Sequence, residues 1–321
     1  MKALKVSEMN SILDETELLD AQVHKNVAAI PITTPPNYSF DVMTLKKGFE
    51  LGLVNVKECE TSTVNTIVVE NKSVTPLLLI DGEEIVGGDQ NRIVNATILV
   101  APQSEMKIPV NCTEHGRWGF KHEFRESEYM ANYRTRSAKA HARYDNMDEQ
   151  GAVWDAIDRL EHNRSFHSPT QAMSENYEDA KSDLNKILPA FKAVDGQSGV
   201  VVIIDGEIKG FEIFANSDVY RQFHEKVLKS YLIGAEINDS VFAINNDEIR
   251  SFMDNALDCE VSESPNTGLE TRFEFKNDDC IGTLYTYMEE LIHLSYFASD
   301  EEKIGEKPPL VDVDYEDEVT I

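Results

Sequence analysis

Positive charge is what this chain has least of. Its 321 residues carry 30 Lys and Arg against 58 Asp and Glu, a formal net charge of −28. A surface of that sign repels nucleic acid and anionic membranes, so neither is expected as a main partner. Cysteine is also scarce. The four thiols, Cys59, Cys112, Cys259 and Cys280, stand far apart with no CxxC pair. That spacing excludes a zinc ribbon and points to reduced thiols in a cytoplasm rather than a disulfide framework. No apolar run approaches the ~20 residues needed to span a bilayer. The first twenty residues carry acids early and lack the apolar core of a secretory signal. The expectation is a cytoplasmic protein with no membrane partner. The common catalytic signatures are missing as well: no GxxxxGK[ST] phosphate loop, no GxSxG elbow and no HExxH.

What is present is ordinary globular material, 41% hydrophobic and 27% charged, enough for one large domain or two intimate ones. The chain is organised around residues 76–120. Leu77–Ile80, Ile93–Val100 and Ile108–Val110 have the length and β-branched content of strands. Asp81-Gly82 is the dipeptide that best fits a tight two-residue hairpin turn. Between the strands lie two polar clusters, Gly87-Gly88-Asp89-Gln90-Asn91-Arg92 and Cys112-Thr113-Glu114-His115-Gly116-Arg117-Trp118. Amide, guanidinium, carboxylate and indole groups beside glycines are the chemistry with which a pocket reads a polar ligand.

Upstream, residues 7–20 read as a short helix and Val27–Ile32 as a first strand. Thr44 is an N-cap for a helix through Phe49, with Gly52 just past its end. Leu53–Val56 and Thr63–Val69 read as further strands, so short turns and antiparallel pairing dominate residues 27–110. The middle is helical. Val153, Trp154, Ile157 and Leu160 recur at helical spacing, and Ser168-Pro169-Thr170-Gln171 has the form of a helix start. Met173, Tyr177, Ala180, Leu184, Ile187 and Phe191 form a core stripe that Pro189 should kink or end. Val200–Ile204 followed by Asp205-Gly206-Glu207 repeats the earlier Leu77–Ile80 with Asp81-Gly82-Glu83. This reads either as an internal duplication or as two unrelated hairpins that share a turn. Ser217 caps another helix, Asp247–Leu257 is a further one, and Leu269–Phe275 with Ile281–Tyr287 reads as a late hairpin.

The expected fold class is therefore α+β, a mostly antiparallel sheet core with a central helical segment packed on one side. Residues 1–24 form an N-terminal extension and 25–298 a single domain. Two related β-rich halves, 25–120 and 199–297, around the helices are the duplicated version of it. Residues 299–321 form an acidic tail expected to be mobile. Residues 300–318 hold nine acids against two lysines. One stretch runs the other way, since residues 117–143 hold seven Lys or Arg against three Glu. Such an island either faces an anion or forms internal salt bridges.

The residues that could carry chemistry divide as follows. Cys112 beside Glu114 suggests a nucleophile, but a neighbouring carboxylate raises a thiol pKa. On a continuous strand Cys112 and Glu114 would share one face, and His115 and Arg117 the other. His115, His122, Glu114 and Glu123 are metal-ligand types without a ligand spacing, so no metal is expected and no cofactor is named. Gln90, Asn91, Arg92, Arg117 and Trp118 are the candidate ligand-binding residues, with Glu114 the candidate general base. Arg forks suit phosphate or carboxylate, amides read ribose hydroxyls, and Trp offers a stacking face. Together they suit an anionic small molecule, a nucleotide or phosphosugar. The structural alternative is a buried polar network that ties the two loops together. Homo-oligomer formation is left open.

GGDQNRIVN followed by IPVNCTEHGRW resembles the ADP-ribosylglycohydrolase- and rhodanese-phosphatase-associated protein domain family. The DGE turn, QGAVW at 150–154, SPTQA at 168–172 and VVIIDGEIKGFEIF support the likeness, over about residues 25–297. Asp89 departs from the pattern, where a Lys or another non-acidic residue precedes the Gln. The resemblance implies binding, and hydrolysis or transfer, of an ADP-ribose-like or other phosphorylated nucleotide-derived ligand, in a setting of NAD-derived metabolism. The other class it implies is a non-catalytic interaction or sequestering module in host–virus or prokaryotic conflict.

Overall fold

The computed structural model describes residues 9–35, 41–59, 65–117, 119–265 and 267–299. Its central strand is Gln197–Ile204, eight consecutive buried residues. Alternate side chains of a strand point to opposite faces, and here both faces are covered. Val200, Val202 and Ile204 enter one apolar cluster, while Val201 and Ile203 enter another. Each such side chain contributes ~1.5–3 kcal/mol by leaving water.

In chain order, helix α1 (9–14) leads into β1 (Glu17–Leu18), β2 (Gln22–His24) and β3 (Val27–Thr33). Then come β4 (Met43–Thr44), α2 (Leu45–Glu50), β5 (Val54–Glu58), β6 (Thr66–Asn71), β7 (Leu77–Leu79) and β8 (Glu83–Val86). β9 (Arg92–Val94), β10 (Ile98–Val100), β11 (Ser104–Cys112) and β12 (Arg125–Met130) complete the first strand-rich stretch. The helices α3 (Tyr133–Tyr144), α4 (Glu149–Arg164) and α5 (Met173–Ile187) follow. The last part holds β13 (Gln197–Ile204), β14 (Glu207–Phe214), α6 (Ser217–Leu232), α7 (Asn246–Asp254), β15 (Glu260–Ser264), β16 (Thr271–Lys276), β17 (Cys280–Tyr287) and β18 (Glu290–Ala298).

Among the described residues, nine strands form one sheet in the order β1-β3-β13-β14-β18-β17-β16-β15, with β2 also on β3. A six-stranded sheet runs β12-β8-β9-β11-β6-β5, and three strands run β10-β7-β4. Pairing is antiparallel except between β4 and β7. The fold is α+β. The larger core joins Leu77–Ile80 and Ile108 to Val200, Phe214 and Phe297. Leu160, Tyr177 and Leu184 of the helical middle pack on that same side. The smaller core lies across the nine-stranded sheet and is closed by Ile249 and Met253 of α7 and by Met9 and Leu13 of α1. No helix among the described residues is long and apolar enough to cross a membrane.

Several local expectations change. Asp205-Gly206 is the tight hairpin: both residues have positive φ (56° and 81°), and Ile204 faces Glu207. Asp81-Gly82 is not a hairpin tip. β7 pairs with β10 and β8 with β9, so one long two-stranded arm is bent at residues 80–83 and 95–97. The run Ile93–Val100 is accordingly two strands, because the chain passes from one sheet to another at Asn95. Lys139 of α3 fills the bend, donating to the carbonyls of Val94 and Asn95 and to the Asp81 carboxylate. The two DGE segments therefore do different structural work. The N-terminal helix ends at residue 14, and β1 begins to pair with β3 at Glu17. Asn216, not Ser217, caps α6 by accepting from the Val219 N–H. Pro189 ends α5 in a 3-10 turn, Leu188–Ala190. The acidic tail at 300–321 lies outside the described residues.

Candidate functional site around Glu114 and Arg117

The true tip of the bent arm is residues 87–91, the first polar cluster. Gly87 and Gly88 take φ of 121° and 55°, and a Cβ on Gly88 would lie 2.3 Å from Phe124 Cζ. Only glycine lets the tip close this tightly, and closing it turns its carbonyls inward. Arg117 occupies that ring. Its Nη1 donates to the carbonyls of Gly88 (2.9 Å), Asp89 (3.0 Å) and Gly119 (2.8 Å), and its Nη2 to Asn91 Oδ1 (3.2 Å). Its Nε donates to Glu114 Oε2 at 2.8 Å, and Nη2 lies 2.6 Å from the same oxygen.

Glu114 is buried. Oε2 also accepts from the Asn91 N–H (3.4 Å), and Oε1 accepts from the Thr170 hydroxyl (3.2 Å). Burial pushes this carboxyl up, but Arg117, the Asn91 N–H and the Thr170 hydroxyl together hold it below the ordinary range. Gln90 donates to the Glu114 carbonyl (2.9 Å). Gln90, Asn91, Glu114 and Arg117 thus form one network. The expected opposition of Glu114 and Arg117 across a strand does not occur. β11 ends at Cys112, and the chain turns so that residues three apart meet.

Arg92 is placed differently. It is buried, reaches Gln90 Oε1 (3.3 Å) and the Asn91 carbonyl (3.4 Å), and lies 3.8 Å from Glu58. Its Nε has no hydrogen-bond partner among the described residues. Trp118 lies outside the described residues. Cys112 is buried with its thiol pushed up, chiefly by burial, and its backbone is held at N–H and C=O by the Gln150 amide (2.8 and 3.0 Å). His115 bonds Gln171 Oε1 (2.9 Å) and packs on Trp154, ring centroids 4.5 Å apart.

Segments far apart in sequence thus converge on residues 112–117. Gln150 and Trp154 come from α4. The 168–172 segment is not a helix start: α5 begins at Met173, and Gln171 has a positive φ of 52°. Instead it lies across the site, with Gly116 N–H on the Thr170 carbonyl (2.8 Å) and Met173 N–H on that of Thr113 (2.9 Å). A family model, the ARG and Rhodanese-Phosphatase-superfamily-associated Protein domain, ARPP-1, matches residues 15–297. The chain belongs to the ARPP-1 family. No curated protein and no solved structure matches it.

The sequence reading of this ARPP-1 domain missed the carboxylates behind the network. Glu84 is fully buried and accepts from Ser127 Oγ (2.8 Å) and Thr113 Oγ1 (3.3 Å). Burial raises its pKa to about 7, although both hydroxyls oppose the shift. Glu83, next in sequence and also buried, is raised mainly by burial and paired with Lys226 Nζ at 3.2 Å. The signal was two adjacent acids at the start of a strand in an apolar run. Thr170 left no signal beyond its place in SPTQA.

Proposed function

We propose that this ARPP-1 domain binds a phosphorylated, nucleotide-derived small molecule of the ADP-ribose kind at the surface of the Glu114–Arg117 network. Arg117 is its cationic centre, Gln90, Asn91 and Arg92 hold the loops, and Trp118, next to Arg117, supplies a stacking face. One observation carries this reading: residues 87–92, 112–117, 150–154 and 168–172, four of the segments on which the family resemblance rests, converge on one place. They converge on a charged pair, and a buried ion pair is a poor way to gain stability alone. The family's own description, association with the ARG and rhodanese-phosphatase superfamilies, supports a ligand of this class.

Binding without turnover fits the chemistry better than hydrolysis or transfer. A general base works best with a pKa near the working pH, and Glu114 is held the other way. Both of its oxygens are engaged within the chain. A sequestering or sensing module is the reading this favours, with Glu114 as the catalytic group in the alternative. Calorimetry with ADP-ribose, NAD and ADP, followed by chromatography of the incubated ligand, tests both. The expected result is saturable binding of ADP-ribose, weakened in Thr170→Val, with the ligand recovered intact. No binding of any of the three ligands sinks the proposal, and recovered product would make Glu114 catalytic.

A further inference from the structure

A second concave surface lies away from these loops. It is a groove of about 830 Å³ between α6 and the turn that ends α5, with α2 and β12 at its margins. That volume is within the ~300–1,000 Å³ usual for small-molecule sites. Five cations line it, Lys46, Lys192, Arg221, Lys226 and Lys229, against Glu126, Glu128 and Glu225. In a chain of net charge −28 this reversal of sign needs a reason.

Internal pairing explains one cation. Lys226 is buried and committed to Glu83 and Glu126. The other four are not neutralised in that way. Lys46 and Lys192 have no carboxylate within 4.0 Å among the described residues. Arg221 reaches only Asp218, at 3.7 Å, and Lys229 only Glu225, at 3.8 Å, both carboxylates being largely exposed. Pairs this long to exposed carboxylates are worth little, and Lys229, itself largely covered, otherwise lies over the Tyr129 ring at 5.5 Å. Glu128 faces Lys181 at 3.9 Å.

The walls that carry these cations are held in place. The Thr44 hydroxyl donates to Gln222 Oε1 at 2.6 Å, which ties the start of α2, bearing Lys46, to α6, bearing Arg221. The Lys192 carbonyl accepts from Gln22 Nε2 at 2.7 Å, and its N–H donates back to the same side chain. The main chain of Lys192 is thereby pinned while its ammonium stays free. Like charges held on one concave surface repel, and its shape focuses their field. An anion with charge at more than one point relieves this at several of them at once.

We propose that this groove is a binding site for a small molecule carrying two or more linked phosphate groups, of the nucleoside diphosphate class. It shares no residue with the Glu114–Arg117 network and does not depend on the reading of that site. The probes are inorganic pyrophosphate and ADP, titrated calorimetrically into the full chain at low and raised salt. Saturable binding that weakens with salt is expected. Lys46→Glu with Lys192→Glu, and separately Arg221→Glu, should each weaken it about tenfold or more, the effect of losing a hydrogen bond to a charged group. Glu225→Gln should tighten it. Thr170→Val should leave it unchanged, which separates this groove from the other site. The substituted lysines and arginine are exposed, so melting temperatures should stay near wild type. If either variant melts early, Glu225→Gln carries the test alone. Absence of saturable binding overturns the proposal, and so does binding that the groove substitutions leave untouched or that Thr170→Val removes.

Discussion

At the scale of single residues, Arg117 and Glu84 make opposite demands. Arg117 donates to a ring of carbonyls and neutralises Glu114. Arg117→Ala would leave a buried carboxylate alone, at a cost of about 3 kcal/mol. Chemical denaturation measures it, and the pair Arg117→Met with Glu114→Leu should cost less than the single change. Unchanged stability in Arg117→Ala would assign the side chain to ligand rather than to scaffold. Since the Glu114 carboxyl is depressed in the fold, its contribution is complete above its ordinary value of ~4.3 and is lost as pH falls through the folded pKa. Glu84 runs the other way. Its folded pKa of about 7 means the native state holds a proton that the unfolded chain releases. Stability should fall as pH rises from ~4.5 to about 7, by up to about 3 kcal/mol at ~1.4 kcal/mol per unit. Urea midpoints near pH 5 and near pH 8 should differ in the wild type and converge in Glu84→Gln. An equal slope in that variant would place the titrating group elsewhere.

At the scale of elements, the glycines of two turns separate local from tertiary causes. Gly206 needs its φ of 81° for a tight hairpin, but a Cβ there meets nothing nearer than 3.4 Å. Gly206→Ala should cost about 1 kcal/mol, the backbone term alone. Gly88→Ala adds a Cβ 2.3 Å from Phe124 and 2.5 Å from a Glu58 oxygen. It should cost at least about 2 kcal/mol, since overpacking is added to the backbone strain. Thermal melts of the two variants rank them, and equal losses would mean that the tip can open at no expense. Asp81-Gly82 could not be told from Asp205-Gly206 by its residues. A bend rather than a tip formed there: the Gly82 N–H bonds the Val94 carbonyl across the arm, and Lys139, far along the chain, adds donors to the carbonyls of Val94 and Asn95.

At the scale of the molecule, charge is sorted between surface and interior. The basic island at residues 117–143 is spent largely inside: Arg117 on Glu114, Arg136 on Glu212, Lys139 on Asp81, and Arg143 on Glu274. Arg136 and Glu212 are bidentate at 2.6 and 2.7 Å and fully buried. Burial alone would raise the Glu212 carboxyl, yet Arg136 holds it down at about 2. His293 joins Glu212 to Thr97, so the pair also fastens the early strands to the late ones. What remains outside is strongly negative, and its self-repulsion is screened by salt while the buried pairs are not. The melting temperature should therefore rise between about 20 mM and about 300 mM NaCl. A fall would mean that exposed ion pairs matter more than net charge.

The sequence by itself determined the elements whose cause is local. Short apolar, β-branched runs announced β3, β6 and β13, and helical spacing announced α4 and the buried stripe of α5. Thr44 announced a cap and Pro189 a stop. It also marked Gln90, Asn91, Glu114 and Arg117 of the Glu114 network, though not Thr170, because polar groups beside glycines are rarely placed for solubility alone. What the tertiary structure decided is what each polar residue meets. Residues three apart in 114–117 could pair only because β11 ends at Cys112, and β11 ends there because Gln150 of α4 takes up its last backbone groups. Ser168-Pro169-Thr170-Gln171 carries a good helix-start signal, yet its Thr170 carbonyl accepts from the Gly116 N–H instead, and the helix starts only at Met173. A tertiary hydrogen bond and a local cap are worth about the same, so burial settles the choice between them. The groove of lysines has no local signature at all. Lys46, Lys192 and Arg221 are distant in the chain, and only packing sets their charges on one surface.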